Sequence, residues 1–293
     1  MAALATEAAV PFTFPGGQGR KKPFRWSFLV WYPLLVVAGF VMALPLLWMI
    51  LTAFKSDGQV LNMAAPILPH PWEWTNVVQA WDSAPFARFY LNSIIFTVGA
   101  TLGQVLTSAM SGYAFARFRF PGRNLFFYLT LTGLMIPFVT VMVPVVEIVN
   151  SFHWLNTYQG LIVPNLQSAF GMFLFRQYFL SLPSDVEDAA TVDGASLLRR
   201  FATVAMPMAR PIVSAFGLLS FLVNWNNFLY PLSVTKTTNM MVVPLGLSVF
   251  QSQYTTYYNL LMAAALIAVI PVLIVSIFAQ RAIVNGITLG SFR

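Results

Sequence analysis

Long stretches of this chain carry no charge at all, and their spacing predicts its elements. No charged residue falls between Arg25 and Lys55, between Arg88 and Arg117, between Arg123 and Glu147, or between Arg210 and Lys236. A bilayer-spanning helix takes about 20 mostly apolar residues. The runs therefore predict spans near 28–51, 90–113, 124–146 and 210–231. Two more are expected near 160–180, after the polar turn "SFHWLNTYQG", and near 259–279, ending at Gln280-Arg281. The fold class predicted is an all-α integral membrane protein of six transmembrane helices (residues 27–293) behind an N-terminal tail, residues 1–26.

One stretch breaks the pattern. Four of the nine carboxylates lie between Asp185 and Asp193. Ser184 and Glu187 make an S-x-x-E capping box, and Asp185 and Glu187 suit the positive end of a helix running to about Val192. Asp193-Gly194 then supplies a turn. Ser196 caps a second helix, in which Leu197, Leu198, Phe201, Val204 and Ala205 recur as one apolar stripe. Pro207 and Pro211 end or kink it. The result is a helix–turn–helix over 183–211, too polar to span. Spacing alone leaves open whether it is a plain connector or a docking element.

Charge then sets orientation. Thirteen of the 16 Lys and Arg residues fall on the side that holds both termini and this elbow, among them Arg20, Lys21, Lys22, Arg117, Arg119, Arg123, Arg199 and Arg200. Lys55, Arg88 and Lys236 fall on the other. This positive-inside asymmetry places both termini in the cytoplasm. Arg176 is assigned to this side by snorkelling to the end of the fourth span. The opposite face carries 55–88, where Trp72, Trp74 and Trp81 suit a membrane interface, either on a short surface helix or in an aromatic-rich loop. The net charge of +7 does not signal nucleic acid, because the bases sit at the ends of apolar runs.

Absent chemistry narrows the function. There is no cysteine, hence no disulfide or thiolate site. No P-loop spacing occurs, and His70 and His153 lie in predicted external loops. No metal site or catalytic residue is predicted. No acid falls at the centre of a span, which argues against a proton- or ion-coupled carrier. Glu147, at the outer end of the third span, is either an interfacial group or a gate. Asn224, Asn226 and Asn227, in "NWNN" of the fifth span, either join helices or line a pathway.

The run "EDAATVDGASLLRRFATVAMPMARP" resembles the EAA loop of ABC importer permeases, roughly E-A-A-x-x-D-G-A followed by a distal L-P. With "SFLVNWNNFLYPL" and "QRAIVNGITLGSF", the chain from about 28 to 293 resembles the smaller six-span permease of carbohydrate importers of the maltose type. The resemblance implies a type I ABC importer permease fold with a cytoplasmic coupling helix. Its EAA positions fall on Asp188, Ala189 and Ala190, its glycine on Gly194 after Asp193, and its L-P on Met206-Pro207, with Ala195 and Phe201 in the same loop. Aspartate replaces the usual glutamate, and Glu187 is the neighbour placed to substitute. The resemblance further implies partners: a second homologous permease, two ATPase subunits that bind ATP and Mg, and an extracytoplasmic substrate-binding protein. This chain itself would hold no cofactor and hydrolyse nothing. It implies the inner membrane of a prokaryote and a sugar or oligosaccharide substrate, with glycerol phosphate derivatives as the alternative. An ion-coupled carrier and a non-transporting scaffold are the rival classes.

Overall fold

The computed structural model describes residues 27–62, 64–251 and 255–290, with side chains from Trp31 to Phe278 within those ranges. The predicted N-terminal tail with Arg20, Lys21, Lys22 and Arg25, the side chain of Arg281, and Arg293 lie outside the described residues. The described residues fall into two units, divided between Leu46 and Leu47. Regular structure among the described residues is helical, apart from one bridge between Gln251 and Thr256.

In the first unit, residues 27–46 belong to a single helix, α1 (Ser27–Ala53), whose last turns fall in the second unit. Its side chains are almost all exposed and apolar, with Met42 at 81%. Such a surface is untenable in water and ordinary in lipid.

The second unit is built around α3 (Phe86–Arg117), preceded by the short α2 (Thr75–Asp82). Phe89, Asn92, Ser93, Phe96, Ala100, Ala109, Tyr113 and Ala116 are buried along α3 at helical spacing, the stripe expected of a helix packed on one side. α3 runs four residues beyond the predicted span at each end. Arg88 and Arg117 sit inside the helix: Arg88 is exposed, as a charged head at a helix end is when its stem stays in lipid, whereas Arg117 is half-buried. The third span differs from its prediction. It is two helices, α4 (Arg123–Thr132) and α5 (Phe138–Ser151), bent by 105° across Gly133–Pro137. Pro137 cannot continue a helix, since it lacks an N–H and restrains its predecessor.

The fourth span is also interrupted. α6 (Tyr158–Ile162) passes through a 3-10 turn, Val163–Asn165, to α7 (Ala169–Ser181). Thirteen residues rise only about 20 Å. Arg176 is half-buried on α7 and reaches toward the C-terminal end of α3 and the start of α4. Its guanidinium lies 4.1 Å from the Phe127 ring centroid, and Nε donates to the Phe115 carbonyl at 3.3 Å. After the elbow, α8 (Asp185–Val192) and α9 (Leu197–Arg200), come α10 (Arg210–Trp225), α11 (Leu229–Val234) and α12 (Tyr258–Gly290). Among the described residues, three helices are long and apolar enough to cross a membrane unbroken, or up to five spans if each bent pair counts as one. The six predicted segments are all helical, but half of them contain breaks.

α3 makes its largest interface with α7. A Cβ on Gly112 would lie 2.6 Å from the Phe175 Cβ and 2.8 Å from the Arg176 backbone nitrogen. Small residues let membrane helices approach this closely. The N-terminal half of α3 holds the segment after α11, which contains a 3-10 turn, Thr238–Met240, and a short helix, Val243–Gly246: Asn92 Nδ2 donates to the carbonyls of Asn239 and Met241, each at 2.8 Å, and Ser93 Oγ accepts from the Val243 amide at 2.7 Å.

Candidate functional site

The elbow between α7 and α10 is assembled from local signals and one long-range anchor. Asp185, Glu187 and Asp188 fill the first turn of α8, where the helix dipole favours negative charge. Its C-terminus is a Schellman motif: Ala195 N–H donates to the Ala190 carbonyl at 2.9 Å and Gly194 N–H to Thr191 at 3.0 Å. Gly194 has φ +76°, a conformation that costs an L-residue about 1–2 kcal/mol. Ser196 Oγ then accepts from the Arg199 amide at 3.4 Å and opens α9.

The capping box does not form. Ser184 has helical dihedrals and its side chain caps nothing. Glu187 turns inward instead. Its Oε1 lies 2.8 Å from Arg117 Nε, and its Oε2 accepts from the Tyr113 hydroxyl at 2.8 Å. Arg117 also donates through Nη2 to the Leu182 carbonyl at 3.1 Å. A charge-assisted, largely buried pair outweighs a bond to an exposed amide. Tyr113 and Arg117 lie one turn apart on α3, so the first turn of α8 is fastened to the C-terminal end of the helix around which the second unit is built.

The second limb is fastened by packing. Past α9 the chain makes a π turn, Phe201–Ala205. Phe201 and Ala205 are buried in one cluster with Tyr113, Phe179, Ala209 and Phe216. The Tyr113 and Phe201 rings are 5.3 Å apart. The predicted stripe is only half realised: the π turn shifts the register, leaving Leu197 and Leu198 exposed. Arg200 Nη1 donates to Thr191 Oγ1 at 2.6 Å, across the bend.

The remaining elbow residues face outward. Asp188, Ala189, Asp193, Gly194 and Pro207 are exposed; Ala190, Ala195 and Met206 are half-buried. A Cβ on Gly194 would meet nothing within 4 Å. Val192 is 89% exposed and, with Val186, adds apolar surface to the carboxylates of α8. The elbow is thus rigidly held on its inner side and unfilled on its outer side.

The four pathway candidates do not form one cluster. Asn224 is enclosed between α3 and α10, where its Nδ2 donates to Thr101 Oγ1 at 3.3 Å and Gln104 Oε1 at 3.2 Å; Ser220 also donates to Gln104. This is a helix-joining arrangement. Asn226 is exposed, with its amide on the Leu222 carbonyl at 2.8 Å. Asn227 Oδ1 accepts from the Tyr230 amide at 3.3 Å and so starts α11 after the break. Glu147 is exposed on α5. Among the described residues no group of three or more His, Asp or Glu side chains stands close enough to hold a metal ion.

Sequence reasoning missed Tyr113 and Arg117. In the sequence Arg117 is only an orientation signal at the end of a charge-free run. Its partner lies 70 residues away, and no local pattern encodes that distance.

Comparison with known proteins places this geometry. Residues 104–289 match the family described as "Binding-protein-dependent transport system inner membrane component". The chain is 37% identical over 266 residues to the diacetylchitobiose uptake system permease protein NgcG of Streptomyces coelicolor, covering 89% of this chain and 88% of that protein. It is 32% identical over 262 residues to the sn-glycerol-3-phosphate transport system permease protein UgpE of Yersinia pestis, covering 87% and 93%. The fold matches a chain in the crystal structure of a bacterial ABC transporter involved in import of the acidic polysaccharide alginate, with a TM-score of 0.75 at 20% identity, over 88% of this chain and 98% of that one.

Proposed function

This chain belongs to the family of binding-protein-dependent transport system inner membrane components, and from that premise we propose that it is a permease subunit of an ATP-driven importer of a sugar or oligosaccharide. In this reading α8 seats in an ATPase subunit, which holds ATP and Mg. A second homologous permease completes the pathway, and an extracytoplasmic binding protein delivers the substrate. Both termini and the elbow face the cytoplasm. Glu147, Asn226 and Asn227 are the polar groups available to a pathway, whereas Asn224 acts by joining helices.

The observation that carries the proposal is the two-sidedness of the elbow. Displacement of the outer face of α8 passes through Glu187 to Arg117 and Tyr113, and hence to α3. Displacement of the second limb passes through Phe201 to the cluster shared with α7. A motor gripping α8 therefore moves two membrane helices together. A sugar is favoured over a glycerol phosphate because Arg176, a cation within a predicted span, is already committed to the Phe127 ring and the Phe115 carbonyl.

The test uses the complex purified through a tag on this chain and reconstituted with its binding protein. A neutral oligosaccharide should raise ATP hydrolysis and accumulate in the vesicles. Gly194→Val, which places a β-branched residue at φ +76° for about 1–2 kcal/mol of turn stability, should lower uptake while the chain still inserts. Stimulation by glycerol 3-phosphate alone would replace the substrate. Uptake by this chain without the ATPase, driven by an ion gradient, would overturn the reading.

A further inference from the structure

Beside the elbow, on the side of α3 and α4, lies an open cleft of about 520 Å³ walled by Arg117, Arg119, Arg123, Arg200, Glu187 and Asp188. A second cleft of about 390 Å³ shares Arg119 and Arg123 with it. The charges do not cancel. Glu187 is taken by Arg117, so three guanidinium groups face the single carboxylate of Asp188.

Those three are under-used. Arg119 is exposed and makes no ion pair or side-chain hydrogen bond among the described residues. Arg123 spends one nitrogen on the Phe118 carbonyl at 3.2 Å. The Nε of Arg200 is buried with no acceptor, although its Nη1 is bonded to Thr191. Uncommitted guanidinium nitrogens of Arg119 and Arg123 border the open part of the cleft, where an anion would meet them. A planar guanidinium is well suited to the oxygens of a phosphate group.

The surroundings select the carrier of that phosphate. One turn beyond Arg123, α4 exposes Leu125, Phe126 and Leu129, each more than half exposed. A soluble anion has no use for this surface, whereas acyl chains would lie along it. We infer that the Arg119–Arg123–Arg200 cleft binds the phosphate of an anionic phospholipid, with the lipid tails against the exposed side of α4. The lipid would bridge the α3–α4 turn to the second limb of the elbow. Basic pockets at the cytoplasmic ends of membrane helices hold anionic headgroups by the same electrostatics.

The test uses the complete complex, purified through a tag on this chain and placed in phosphatidylcholine nanodiscs with trace spin-labelled phosphatidylglycerol or spin-labelled phosphatidylcholine. The immobilised fraction should show a preference for phosphatidylglycerol. Each of Arg119→Gln, Arg123→Gln and Arg200→Gln should lower that preference by about fivefold. The triple lysine variant should retain most of it, which separates lost charge from lost folding. No preference in the unaltered complex, or a preference unchanged in the triple glutamine variant, overturns the inference. So does displacement of the labelled lipid by millimolar inorganic phosphate, which would make the occupant a soluble anion. A preference that appears only after the ATPase subunits are stripped away also overturns it, since the cleft would then be a protein contact.

Discussion

Glu187 and Asp188 are neighbours in sequence but differ in exposure, because successive helical residues point about 100° apart. Glu187 is clasped by Arg117 and Tyr113; Asp188 is exposed on the outer face. Their substitutions should therefore fail differently. Asp188→Lys should leave thermal stability within about 0.5 kcal/mol, while ATP hydrolysis by the assembled complex becomes uncoupled from uptake. Glu187→Gln leaves Arg117 without its counter-charge and should cost roughly 3 kcal/mol, read as a lowered unfolding temperature in detergent. Combined with Arg117→Gln it should cost less than the sum of the two single changes. The sequence showed an acidic cluster but not which acid turned inward. S-x-x-E matched a capping box, and only the packed fold brings Arg117 within 2.8 Å.

Proline decides where elements stop being straight, and tyrosine repairs what it leaves. Pro271 lies inside α12 and has no N–H to give the carbonyl four residues earlier, at Ile267. The Tyr90 hydroxyl of α3 donates to that carbonyl. The same relation joins Pro164 to Gly160, whose carbonyl accepts from the Tyr230 hydroxyl. In lipid, where no water can substitute, each such repair matters more. Tyr90→Phe should lower stability by about 1–3 kcal/mol. Pro271→Ala, which restores the missing donor, should shrink that penalty in the double variant. A penalty unchanged by Pro271→Ala would show that Tyr90 acts through packing alone. Apolar runs, four of them charge-free, located the six helical segments, because a helix in lipid needs such a length. They could not report continuity, which depends on Pro137 and Pro164 and on carbonyl partners from other helices.

At the scale of the whole molecule, orientation is the claim on which the coupling reading depends. The chain has no cysteine, so a single introduced one is the only thiol to label. Cysteine in place of Val192, 89% exposed on α8, should react with a membrane-impermeant maleimide only in inside-out vesicles. Cysteine in place of Trp74, 66% exposed, should react only in right-side-out ones. Labelling at 192 from outside would leave α8 beyond reach of any cytoplasmic motor. The basic-residue asymmetry predicts this orientation, and one of its contributors, Arg176, stacks on Phe127 beside the ends of α3 and α4.

The close mesh at Gly112 limits how the subunit can move. With their main chains nearly touching there, α3 and α7 cannot slide past one another without first lifting apart, and so they act as a single beam. Any rocking during a transport cycle falls to the joints, the right-angled corner before Phe138 and the gap after Trp225. Stiffening either joint should arrest the cycle, even if every contact along the beam survives.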